Sequence, residues 1–85
     1  MSGGKNVKVL LFGAAADLAG KREIGVSVAA DSSLDELWEA VVVEYPRLSP
    51  MRQTLAFAVN GEYAEKGAKV SPGDEVAFLP PVSGG

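Results

Sequence analysis

The stretch from Leu34 to Tyr45 constrains the fold more than any other part of the chain. Leu34, Leu37, Trp38, Val41, Val42 and Tyr45 recur at i, i+3, i+4, i+7, i+8 and i+11. That spacing lines six apolar side chains along one stripe of an α-helix. Ser33 and Glu36 stand at capping-box spacing, and Asp35 and Glu36 put negative charge in the first turn, where the helix dipole favours it. Pro46 stops the helix because its ring clashes with the preceding turn and it has no N–H to give. Trp38 on this stripe is expected in a core rather than as a ligand platform. Glu39 and Glu44 should point into solvent. With Asp35 and Glu36 they form an acidic face that could meet a basic partner, although a solvated face is the default reading. A single helix of this kind must bury its stripe on a sheet.

The sheet is found in short β-rich runs on either side. Val7–Phe12 is apolar on both alternating faces, which suits a central strand. Gly13 interrupts it, and Ala14 to Ala19 closed by Gly20 reads as one or two helical turns with Leu18 as its core contact, or else as an irregular loop. Lys21–Ala29 alternates Ile24, Val26 and Val28 with Glu23, Gly25 and Ser27, as an edge strand with one wet face does. Arg47 to Thr54 is a connector without a clear period. Leu55–Val59 is a further strand, Asn60-Gly61 a tight turn, Glu62–Ala64 a return strand, and Glu65 to Val70 a loop or irregular edge. Ser71-Pro72-Gly73-Asp74 turns the chain into the last strand, Glu75–Leu79, which is again apolar on both faces. The order is strand, short helix, strand, long helix, strand, short strand, strand. It predicts an α+β fold of the ubiquitin-like β-grasp type: one domain spanning 1–85, with a mixed sheet of four to five strands on one long helix. In that arrangement the first and last strands sit side by side in the middle of the sheet.

One helix can cover only one face of such a sheet. If Val7, Val9, Leu11, Leu55, Phe57, Val59, Val76 and Phe78 face the helix, then Leu10, Phe12, Ala56, Ala58, Ala77 and Leu79 face the other way. Those positions are normally polar on a solvated antiparallel sheet. Two readings follow. The outward residues form an apolar patch for a partner, or the segment after Phe12 or the Arg47–Thr54 connector folds over them.

The residue inventory removes most self-contained chemistry. The chain has no cysteine and no histidine, so disulfides, thiolate nucleophiles, the usual zinc sites and the commonest general acid–base group are all missing. Asp17, Glu23 and Asp31 have no spacing that would make a metal site, and no metal is expected. A net charge of −3, with Lys and Arg scattered, argues against nucleic acid as a partner. No apolar run reaches the roughly 20 residues of a membrane span, and the polar start Met1–Asn6 has no signal-peptide core. A soluble cytoplasmic protein is expected, with residues 1–5 loose.

The remaining feature is the end, Leu79-Pro80-Pro81-Val82-Ser83-Gly84-Gly85. Prolines stiffen the exit, and glycines leave its tip slender, which makes 80–85 an extended, flexible tail suited to a narrow pocket. A frayed terminus is the plain alternative.

Three stretches give the chain a resemblance to a known family: Val7–Phe12 running to Leu18-Ala19-Gly20, then Ala58-Val59-Asn60-Gly61, and above all Gly73-Asp74-Glu75-Val76-Ala77-Phe78-Leu79-Pro80-Pro81-Val82-Ser83-Gly84-Gly85. The chain resembles the small, sulfur-carrying subunit of molybdopterin synthase over nearly its whole length after Asn6. It departs from that pattern at Ala16-Asp17, where the family often has Arg-Glu. The resemblance implies that an ATP-dependent, E1-like adenylating enzyme activates the Gly85 carboxylate and that a sulfur donor converts it to a thiocarboxylate. The tail would then enter the large synthase subunit and give its sulfur to cyclic pyranopterin monophosphate, in a heterotetramer of two large and two small subunits. Gly85 and Gly84 would be the reacting tip. Leu10, Phe12, Ala77, Leu79, Pro80, Pro81, Val82 and Ser83 would meet the partner. No cofactor would be bound by the chain itself. Alternatives are a sister sulfur carrier for thiamin or cysteine synthesis, a ubiquitin-like protein modifier, and a plain interaction module.

Overall fold

The structure is a computed structural model that describes residues 6–29 and 31–80. Its elements in chain order are β1 (Asn6–Leu11), α1 (Gly13–Ala19), β2 (Glu23–Ser27), β3 (Ser32–Ser33), α2 (Leu34–Glu44), a 3₁₀ helix (Pro46–Met51), β4 (Ala56–Val59), β5 (Glu62–Ala64), β6 (Lys69–Val70) and β7 (Glu75–Leu79). Five strands form one sheet in the order β2-β1-β7-β4-β5, while β3 and β6 make a separate two-stranded ribbon. The first and last strands of the chain are neighbours at the centre and run parallel; every other pairing is antiparallel. This is the expected mixed β-grasp sheet, with β2 on an edge.

Helix α2 forms where the stripe predicts. The Ser33 hydroxyl accepts from the Glu36 N–H at 3.1 Å, and a Glu36 carboxylate oxygen accepts from the Ser33 N–H at 2.9 Å, which completes the capping box. Leu34, Leu37, Trp38 and Val41 are buried on the sheet. Tyr45 is the C-cap of the helix rather than part of its last turn. Trp38 packs against Phe57 and Phe78 with ring centroids 6.0 and 5.4 Å apart, and Phe57 lies 5.1 Å from Phe78. These tilted and edge-to-face contacts add to the apolar area that the rings bury. The acidic face of α2 is partly answered within the chain, since Arg52 reaches Asp35 at 3.0 Å and Glu39 at 3.3 Å.

Several expectations need correction. The segment after Phe12 is a helix, closed by Gly20 in the left-handed conformation with its N–H on the Ala16 carbonyl at 2.8 Å. Its core contact, however, is Ala15, fully buried, while Leu18 is 38% exposed. A seven-residue helix lying close to the core brings in a methyl group and leaves no room for a leucine on that side. The connector expected to lack regular structure is a 3₁₀ helix that Pro46 opens and Leu48 anchors, fully buried. The β3–β6 ribbon, Ser32↔Val70 and Ser33↔Lys69, was not legible as strand, because two residues carry no alternation. It ties the entry of α2 to the loop before Val70, whose side chain is fully buried.

Candidate functional site

The parallel pairing of β1 and β7 fixes the site. Both strands end at the same side of the sheet, so the chain leaves β7 at Pro80 beside the place where β1 turns into α1. The approach is close: a Cβ added at Gly13 would lie 3.6 Å from both Cβ and Cγ of Pro80. Pro80 itself is exposed. Pro81, Val82, Ser83, Gly84 and Gly85, all named above as site residues, lie outside the described residues.

Register decides which side chains share the outer face. Leu10 pairs with Ala77, Ala77 with Ala58, and Ala58 with Tyr63, while Glu23 closes the row beside Leu10. Leu79 pairs with Ala56 one step closer to the tail. The alternate residues Val9, Leu11, Val76, Phe57 and Phe78 are buried in the core. Leu10, Ala56, Ala77 and Leu79 are half-buried, and Phe12 is 43% exposed. Ala58, a methyl group between neighbouring strands, is nearly covered. Of the two segments that could have folded over this face, the 3₁₀ helix packs Leu48 into the core cluster and α1 packs Ala15 there, while Ala16 of α1 borders Leu10 and Phe12 at one edge of the face. The outer face therefore keeps an apolar strip running from the centre of the sheet to the exit of the tail. At its far end the strip gives way to Lys8 and Glu75, a half-exposed pair 3.8 Å apart, which contributes little stability in solvent.

Sequence reasoning missed Tyr63, 78% exposed at the end of the row. Three residues of β5 are too few to show a period, and only the pairing to Ala58 places Tyr63 on this face. Leu10, Ala77 and Leu79 lie on one face by register, as expected from their alternation, and Phe12 is exposed just after β1.

Two of the motifs that carry the resemblance have a structural task at the opposite end of the sheet. Asn60 and Gly61 both have positive φ, 52° and 89°, as a tight hairpin between β4 and β5 requires. The Asn60 side chain accepts from the Glu75 N–H at 3.0 Å and donates to Asp74 at 3.1 Å, and Asp74 in turn accepts from the Ser71 N–H at 2.9 Å. Asn-Gly and Gly-Asp-Glu thus stitch two turns together and fix where β7 starts. Their contribution to the site is the direction in which β7 delivers the tail.

Among the described residues no three acidic side chains gather as a metal site, and no helix is long and apolar enough to cross a membrane. The geometry defines a class of protein: a β-grasp domain that offers a bare apolar sheet face next to a C-terminal extension. The chain belongs to the ThiS family, whose pattern matches residues 9–85. Among its relatives is the human protein named molybdopterin synthase sulfur carrier subunit, 38% identical over 82 residues that cover 93% of each chain. Among solved structures, small archaeal modifier protein SAMP1 from Haloferax volcanii superposes with a TM-score of 0.84 at 32% identity, covering 94% of this chain and 99% of that one. A chain from the complex of subunits 1 and 2 of the molybdopterin-converting factor of Helicobacter pylori superposes at 0.67 with 26% identity, covering 94% and 99%. The resemblance read from the sequence is borne out by these relatives.

Proposed function

We propose that this chain carries sulfur on the C-terminal carboxyl of Gly85 for the synthesis of molybdopterin. The observation that carries the reading is that a central strand brings the chain to Pro80 beside a face that is apolar among the described residues, in a chain that ends in Ser-Gly-Gly and whose relatives are named sulfur carrier subunits. An E1-like enzyme would let the Gly85 carboxylate attack the α-phosphate of ATP, releasing pyrophosphate and leaving an acyl-adenylate. A sulfide-equivalent donor would then displace AMP to give the thiocarboxylate, a sulfur nucleophile that needs no cysteine in the carrier. Gly84 and Gly85 keep the tip free of Cβ atoms around the attacked carbonyl.

The partner would be the large synthase subunit, in keeping with the two-subunit complex known for the Helicobacter pylori neighbour. Leu10, Phe12, Ala77 and Leu79 would dock on it, and Pro80, Pro81, Val82 and Ser83 would thread the tail toward cyclic pyranopterin monophosphate. In this reading the reaction would take place in the cytoplasm, the carrier would bind no cofactor, and ATP would be used by the activating enzyme.

The test is an intact mass after incubation with the activating enzyme, ATP and a sulfur donor. A gain of about 16 Da, the exchange of one oxygen for sulfur, is expected. An unchanged mass with a demonstrably active activating enzyme overturns the reading. Conversion of the pyranopterin in the presence of the large subunit then selects the molybdenum branch over thiamin or cysteine synthesis. The close superposition on an archaeal modifier favours one second reading, attachment of Gly85 to lysines of other proteins. It predicts target lysines that carry the segment from Val70 to Gly85 as a branch after tryptic digestion, since Lys69 is the last basic residue of the chain.

A further inference from the structure

Beside the exit of the tail, Leu10, Phe12, Gly13, Ala16, Arg22 and Glu23 line a groove of about 470 Å³ between α1 and the β1–β2 edge. Leu10, Phe12 and Ala16 make it largely apolar, and its rim carries two charges. The backbone of Arg22 is fixed, since its carbonyl accepts from the Leu11 N–H at 2.8 Å. Its side chain is exposed, and among the described residues it takes part in no ion pair, whereas Arg52 and Lys8 each meet a carboxylate. A free guanidinium here runs against the net charge of the chain, −3.

The groove lies beside the last described residue before the tail, since a Cβ at Gly13 would touch Pro80, so a partner that holds the tail close to its root covers the groove. Docking then strips water from Arg22. An unpaired charge covered in this way opposes binding, while a carboxylate opposite it offsets the loss and can be held by two parallel hydrogen bonds. We infer that the groove receives from the partner an apolar side chain flanked by a carboxylate, with Arg22 as the anchor of that carboxylate. Glu23 on the same rim repels an acid placed on its side, so the pair of charges also sets the direction in which the segment lies. The inference rests on the reading above that the partner is the large synthase subunit.

Titration calorimetry of the full chain against the purified large subunit tests it. R22E is expected to weaken binding by about tenfold or more at low salt, with the gap narrowing as salt screens the pair. R22K should recover only part of the affinity, because an ammonium lacks the fork. Melting temperatures should stay together, since the Arg22 side chain makes no ion pair within the chain. One acid-to-arginine reversal on the partner should restore binding of R22E. If R22E binds within about twofold of the unmodified chain, or if no single reversal rescues it, the inference falls while the sulfur-carrier reading stands. If the unmodified chain, though adenylated, does not bind the large subunit at all, the reading of the partner falls and takes the inference with it.

Discussion

Phe12 keeps 43% of its surface in water at the point where β1 ends and the tail leaves β7. Its backbone is extended at the N-cap of α1, and its ring lies outside the buried core cluster. Leu79, half-buried on the same face, sits on the last residue of β7. Replacing either residue by lysine puts a charge where the proposed partner would exclude water. Phe12→Lys and Leu79→Lys are expected to melt within a few degrees of the unmodified chain, corresponding to less than about 1 kcal/mol, yet to lose binding to the large subunit by at least about tenfold. Circular dichroism melts and calorimetry check the two halves of this statement, and normal binding by both variants would remove the outer face from the site.

The element that aims the tail is β7, and its start is set by side chains from a different hairpin. Asn60 holds Glu75 and Asp74, and Asp74 holds Ser71. Asn60→Ala removes two of these hydrogen bonds and places alanine at a φ of 52°, where asparagine is tolerated far better. A loss of about 1–3 kcal/mol is expected from the hydrogen bonds and the strain together. It should be measurable by urea denaturation as a lower midpoint with an unchanged slope. Sulfur transfer per folded molecule should stay close to that of the unmodified chain, because these residues lie at the end of the sheet away from the tail. A variant that is fully stable but inactive would mean that Asn60 acts in the site itself.

At the scale of the whole molecule, the proposal places the chemistry on Gly85, at the far end of the chain from the helix that closes the core. Among the described residues the core closes around Trp38, Phe57 and Phe78, and Pro80 is not part of it. Deleting Gly85 is therefore expected to leave the melting temperature unchanged and to abolish thiocarboxylate formation, seen as no gain in mass. A large drop in stability would show that the tail is structural. Much of the molecule was legible in the chain. The stripe from Leu34 to Val41 and the Ser33–Glu36 box specify α2 by local spacing and local hydrogen bonds. Asn60-Gly61 specifies a turn by its tolerance of positive φ. The missing cysteines and histidines narrow the chemistry before any fold is known. Alternation within β1 and β7 even separates the buried face from the outer one, because the period of a strand is a property of its own backbone. Pairing between distant segments is not encoded so locally. The parallel register of β1 with β7 brings Pro80 to Gly13, and the three-residue β5 brings Tyr63 into line with Ala58. Ala15 takes the core place expected of Leu18 because the depth at which α1 lies is set by the core beneath it. Arg22, one scattered cation in the sequence, acquires a groove only when α1 and the sheet edge meet around it. The sequence by itself determined the elements and the chemistry available to them. The tertiary structure alone decided which face stayed bare and what stands beside the tail, since both depend on contacts between residues far apart in the chain.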